Sequence, residues 1–280
     1  MPKSCATLRC LQRARTDEGQ PHHIIERRHM EFVWTAKAAA LLALMLAAPA
    51  IAQSQESDNG TDPTKLRRTF WTSYEHMDLS SDASRGTFKL MYEAPISPKT
   101  SLRLTLPVVG FDAPGIESGS DVGDIALRAT HLLSVTRERG IVLQGELIGD
   151  TAGRAELGYG ATVVKATAIY AKFLEGGRIF APAISHTQSI GGDRQTRETT
   201  IDFYYVPKLP DPAWYMTVDP AIISDWENDR VYSSVAVTAG RAVGKVGGGV
   251  AQVYLKPGIF IGNDRPADWS FEVGFRVIGF

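Results

Sequence analysis

The chain has 280 residues, 44% of them hydrophobic, and a formal net charge of −1 from 30 Lys/Arg against 31 Asp/Glu. That length holds one large domain or two small ones, and the near-neutral balance excludes the basic footprint of a nucleic-acid binder. The two cysteines, Cys5 and Cys10, both lie at the very start, so the remainder has no disulfide and no cysteine metal site.

Residues 1–29 are polar, basic and non-periodic, and they precede a methionine, Met30. Translation is expected to start at Met30. Lys37 then precedes an apolar run from Ala38 to Ala48, Pro49 breaks it, and Ala50-Ile51-Ala52 offers small residues at a cleavage site. A run this short flanked in this way reads as a secretory signal peptide over 30–52, not a spanning helix. Its removal takes the net charge from −1 to −4, because residues 1–52 carry seven Lys/Arg against four Asp/Glu. A polar leader over 53–66 is expected to be flexible.

From residue 67 onward the dominant period is two, the signature of strands. Twelve strands are expected: 67–77, 85–95, 100–109, 121–135, 139–149, 158–173, 177–188, 197–208, 213–224, 230–243, 247–257 and 267–280. Their connections alternate. Short ones, such as SPKT and LEGG, follow the even strands, and longer polar ones, such as GFDAPGIESGSD and SIGGDRQTRET, follow the odd strands. Short turns on one rim and long loops on the other describe an antiparallel up-and-down transmembrane β-barrel. An even strand count puts both ends on the short-turn side.

Each strand has an apolar and a polar face. Leu102, Leu104 and Leu106 alternate with Arg103 and Thr105, and Phe88, Leu90 and Tyr92 with Lys89 and Glu93. In a soluble sandwich the apolar face points inward; in a membrane barrel it meets lipid and the charges line the interior. Periodicity alone does not choose. Export, the rim pattern, and Tyr or Trp near strand ends (Trp71, Tyr92, Tyr159, Tyr170, Trp214, Tyr232 and Trp269) favour the membrane, with the aromatics as interfacial girdles. The final segment, DWSFEVGFRVIGF, keeps Trp269, Phe271, Val273, Phe275 and Val277 on one face. Phe280 is out of phase with them, and a bulge at Gly279 would restore it. A strand finishing on Phe280 resembles the assembly signal of outer-membrane proteins.

Around SDVGDIALRATHLL (120–133), and from 204 to 280, the sequence resembles transporter-like outer-membrane proteins grouped with the phenol meta-cleavage pathway. The matching pieces are Gly123-Asp124, the run from Trp214 to Asp219-Pro220, the loop from Asp225 to Asp229, Pro257-Gly258, Asp264-Arg265-Pro266 and Asp268-Trp269. The resemblance implies a barrel that handles small, often hydrophobic, molecules. It brings no catalytic residues.

The candidate lumen-lining residues are Lys89, Arg103, Arg128, Lys165 and Arg276, with Glu93, Asp124, Glu146, Asp202, Asp219 and Glu272. Signs this balanced point to a cross-lumen ion-pair network in a narrow or partly plugged barrel. The Asp225–Asp229 loop offers oxygen ligands of the kind calcium takes, but its spacing suits a solvated loop contact better. Ser185, His186 and Ser189 fail as a lipid-facing hydrolase pair, because His186 lies on the opposite face from both serines.

The sequence therefore implies a monomeric barrel in the outer membrane of a Gram-negative bacterium, delivered by periplasmic chaperones and the barrel-assembly machinery. It would pass small, hydrophobic or aromatic solutes without cofactor or catalysis, with loops 110–121 and 189–199 narrowing the outer mouth. The alternatives are a barrel-embedded lipid-modifying enzyme and a soluble periplasmic β-domain that binds a hydrophobic ligand.

Overall fold

Side chains of a strand point alternately to the two faces of its sheet, so each period-2 run above has one face to bury and one to expose. The computed structural model describes residues 59–80 and 82–280. The expected start at Met30, the signal peptide, both cysteines and the leader before Asn59 lie outside the described residues. The strands are β1 (Thr69–Leu79), β2 (Ala83–Ser97), β3 (Thr100–Ala113), β4 (Ile116–Val122), β5 (Ala126–Val135), β6 (Arg139–Ile148) and β7 (Ala161–Leu174). They continue as β8 (Arg178–Gly192), β9 (Arg197–Val206), β10 (Trp214–Asp225), β11 (Arg230–Val246), β12 (Gly249–Ile261) and β13 (Ala267–Ile278).

Every pairing is antiparallel, and β1 pairs with both β2 and β13, which closes the sheet. β4 and β5 pair with successive stretches of β3. They are one strand broken at 123–125, so the barrel has twelve strands. Closure satisfies the backbone N–H and C=O groups that an open edge would leave bare in lipid. Among the described residues the only helices are two single 3₁₀ turns, Ala155–Leu157 and Glu175–Gly177.

The rims differ less in loop length than expected, because several strands run past the expected ends. β8 continues to Gly192 and β12 to Ile261. The expected loop 110–121 is mostly a hairpin, because β3 runs on to Ala113 and β4 begins at Ile116. The tip holds Gly115 at φ 78°, a conformation open to glycine and strained for other residues.

The structure decides between the two faces. Phe88, Leu90, Leu104, Leu106 and Leu127 lie on the outside and are exposed, Leu127 by 48%. Lys89, Met91, Arg103 and Arg128 occupy the alternate, enclosed positions. A soluble domain would show the reverse. An outward apolar band around a polar interior belongs to a membrane-spanning barrel.

Candidate functional site: the barrel interior

Two cavities lie in the interior, and Arg103 lines both. The outer one, about 490 Å³, lies toward the long-loop rim between the walls of β2, β3, β5 and β6. The inner one, about 290 Å³, lies toward the short-turn rim. Arg103 therefore stands at the divide along the barrel axis.

Charges in the outer half are joined along the wall. Arg128 Nη2 donates to Glu146 Oε2 at 2.7 Å, and Arg103 Nη2 stands 3.9 Å from Glu146 Oε1. Lys165 on β7 is the register partner of Glu146 on β6. Lys89 Nζ donates to Glu75 Oε2 on the neighbouring strand at 2.7 Å. Glu93 accepts from Ser101 Oγ at 2.6 Å. On the far side, Lys256 reaches Asp219 at 3.9 Å, and Asp202 Oδ1 has no hydrogen-bond partner. These pairs link strands one or two apart. The expected cross-lumen network is thus a lateral one, because neighbouring strands stand only about 4.8 Å apart while the interior is wide enough for cavities.

Asp124 departs from the expectation of an inward ion pair. It sits in the break between β4 and β5, 8% exposed, and accepts from the backbone N–H groups of Thr151, Ala152 and Tyr159 at 3.0, 3.0 and 2.6 Å. A Cβ on Gly158 would collide with its carboxylate. Asp124 is the clasp that holds loop 149–160 across the outer cavity, where Leu157, Gly158 and Tyr159 form part of the lining. The outer mouth is thus narrowed by loop 149–160, which Arg194 ties to the β8–β9 connection through the Ala155 carbonyl.

The inner half is occupied by the chain itself. The leader was expected to be loose to residue 66, yet from Asn59 on it is tied inside the barrel. Two local turns, Asn59 Oδ1 to Thr61 and Asp62 Oδ1 to Thr64, fold it, and Thr61 and Thr64 are buried. Tyr204 Oη donates to the Thr61 carbonyl at 2.9 Å, and Arg276 Nη2 to the Asn59 carbonyl at 2.8 Å. Arg276 also donates through Nε to Gln252, which is 1% exposed, and its guanidinium lies 4.6 Å from the Tyr215 ring centroid. Glu272 accepts from Tyr254 Oη at 2.7 Å. Polar sequence made the leader look unstructured; its backbone carbonyls are what the barrel wall holds.

The sequence reading missed Arg85, Glu75, Glu198, Lys256 and the three tyrosines Tyr204, Tyr215 and Tyr254. The signal for Arg85 and Glu198 was present: each is in phase with an inward residue on its own strand, Lys89 and Asp202. Three of the expected girdle aromatics face inward instead, Tyr159 among them in the lining of the outer cavity. Trp71 lies under Arg103, 5.2 Å from its guanidinium, and Tyr232 contacts Phe260. Trp71 shares the phase of Ser73 and Glu75, so the strand's alternation places it inside. Trp269 remains outside and stacks with His76 at 5.2 Å.

The remaining candidates resolve locally. Asp225 caps its own turn, accepting from Glu227 N, Asn228 N and Asn228 Nδ2. His186 is exposed on the outer face and contacts Thr199 Oγ1 at 3.0 Å, whereas Ser185 and Ser189 are buried on the inner face. The wall separates them. β13 ends at Ile278, and Gly279 at φ 76° donates its N–H to the Arg68 carbonyl. Gly279 thus turns the chain after the strand, and the ladder continues without a bulge to Ile278.

No family model matches the sequence, and no curated protein matches it. Solved structures do match the fold. The COG4313 outer membrane channel from Pseudomonas putida F1 is similar at a TM-score of 0.58 and 14% identity, over 82% of this chain and 98% of that one. The NanC porin is similar at a TM-score of 0.51 and 7% identity, over 75% of this chain and 98% of that one. The chain has the twelve-stranded barrel fold of Gram-negative outer-membrane channels and porins.

Proposed function

We propose that this protein is a monomeric outer-membrane channel that admits small, hydrophobic or aromatic molecules by binding and diffusion. The observation that carries the reading is the interior: two cavities meet at Arg103 inside a closed barrel whose outer face is apolar. The solutes that pass enter through the outer cavity, cross the Arg103 divide and leave where residues 59–66 sit in the inner cavity. Lys89, Glu93, Arg128, Glu146, Lys165, Asp202, Asp219, Glu272 and Arg276 line the way, and Asp124 fixes the loop above it. Similarity at 120–133 and 204–280 to the phenol meta-cleavage group supports aromatic solutes. In this reading residues 30–52 export the chain, and Phe280 is read by the barrel-assembly machinery. The wall between His186 and the two serines argues against the lipid-modifying alternative.

The test is single-channel recording of the refolded protein in planar bilayers. Discrete conductance steps are expected. Inserted, heat-modifiable protein that stays silent, together with liposomes that admit no small aromatic solute, would overturn the channel reading.

A further inference from the structure

The interior is electrically divided in a way that counting charges conceals. Arg85, Lys89, Arg103 and Arg128 all line the outer cavity, on β2, β3 and β5. Glu198, Asp202 and Asp219 stand on β9 and β10, about half a turn of the barrel away. Among the described residues the carboxylates lining the outer cavity are Glu146 and Asp124, and Glu75 on β1 takes up Lys89. Asp124 is committed to three backbone N–H groups, and Glu146 is already bonded to Arg128.

Donors remain on the basic wall. Arg103 Nε and Arg85 Nε are buried without a hydrogen-bond partner, and Arg103 Nη2 reaches Glu146 only at 3.9 Å. A buried guanidinium donor left unpaired is costly unless an acceptor arrives. Arginine also presents its N–H groups as a planar fork that matches a carboxylate. The rest of the lining is mostly apolar, with Met91, Pro107, Val109, Ala126, Ile148 and Leu157, and Thr87, Thr105 and Tyr159 add hydroxyls. A cavity of about 490 Å³ falls in the usual range of small-ligand pockets.

From this arrangement we infer that the outer cavity is a binding site for a small organic carboxylate with an apolar body, its carboxylate on Arg103 and Arg85 and its body against Met91, Val109 and Leu157. The inference rests on the channel reading and narrows its solute to an anion. Glu198 and Asp202 disfavour such a molecule on the opposite side, where Asp219 is already paired with Lys256. Both arginines line the cavity, and Arg85 is steadied there by the bond from its Nη2 to the Glu156 carbonyl at 2.8 Å.

Isothermal titration calorimetry of the refolded full chain in detergent tests this, with benzoate as probe and benzyl alcohol as its uncharged counterpart. Benzoate is expected to bind, benzyl alcohol to bind at least tenfold more weakly, and Arg103→Gln to weaken benzoate at least tenfold while leaving benzyl alcohol unchanged. If Arg103→Gln does not give a heat-modifiable barrel, Arg85→Gln carries the same comparison. Equal binding of the two probes, absence of benzoate binding, or benzoate affinity unaltered in a folded variant would overturn the site. Conductance is recorded separately. Benzoate binding to a barrel that neither conducts nor admits small aromatic solutes into liposomes supports the site and removes the channel reading; conductance without benzoate binding does the reverse.

Discussion

Arg276, on the last strand, donates a hydrogen bond of 2.8 Å to the carbonyl of Asn59, 217 positions earlier in the chain. The contact places the segment before β1 inside the barrel that the following residues build. Arg276 is itself fixed by Gln252 and by the Tyr215 and Tyr254 rings. The side chain that holds the segment is therefore pre-positioned by the wall.

Loss of that hold should open the inner half. A charge-assisted hydrogen bond contributes about 1.5–3 kcal/mol, so Arg276→Gln should raise the fraction of time spent in open steps roughly tenfold in single-channel records. Deleting residues 59–66 should raise it further. Conductance identical to the parent in both would show that this segment does not restrict flow.

Glu146 is 10% exposed and carries the bond to Arg128. Arg128→Ala leaves its carboxylate with no short ion pair, facing Arg103 at 3.9 Å and its register partner Lys165. Removing one partner of a buried pair costs about 3–5 kcal/mol, and Arg128 is 23% exposed, so about 1–3 kcal/mol is expected. Urea titration followed by the gel shift of folded against unfolded barrel measures it. The double variant with Glu146→Ala should recover part of the loss.

The clasp at Asp124 predicts a local effect. Asp124→Ala frees three backbone donors of loop 149–160, and Gly158→Ala pushes a methyl group into the same carboxylate. Either should make this loop cleavable by protease added from outside, while the barrel stays heat-modifiable. A loop as resistant as the parent's would refute the clasp.

Tyr254 lies across Gly274 of the paired strand, and Tyr215 across Gly240, with no room for a Cβ at either glycine. Gly274→Ala must displace the ring and its hydrogen bond to Glu272. Overpacking of this kind costs about 1–3 kcal/mol. The midpoint of thermal unfolding should fall by several degrees, and Gly145→Ala, where the added carbon meets open space, should leave it unchanged.

The outward band offers the sharpest contrast with a soluble domain. Leu104 and Leu127 face each other across β3 and β5 on the outer surface. An arginine on the lipid face of a barrel costs about 2–4 kcal/mol at the midplane. Leu127→Arg should therefore reduce insertion into liposomes, measured by flotation. Improved solubility without detergent would contradict the membrane placement.

Much of the fold could be read from the sequence because alternation is local. Period two grouped Lys89 with Glu93 and Arg103 with Thr105 on one face, whatever that face met. Loop lengths gave the strand number and put both rims in order. The strand break at 123–125 was not visible, since Gly123-Asp124 reads as a strand start and Asp124 finds its backbone donors only in loop 149–160.

What the sequence determined, then, was which residues share a face, because that follows from backbone geometry within one strand. The tertiary structure decided where each face points, which charges meet and what fills the interior. Glu146 reaches both Arg128 and Arg103 because the register aligns the three side by side across β6, β5 and β3. The basic and acidic walls separate because β3 and β10 fall on opposite sides of a closed ring of twelve. Asn59 reaches Arg276 only once closure has made an inside to enter. Sequence spacing holds none of these distances, since each depends on chain segments far apart that only the closed sheet brings together.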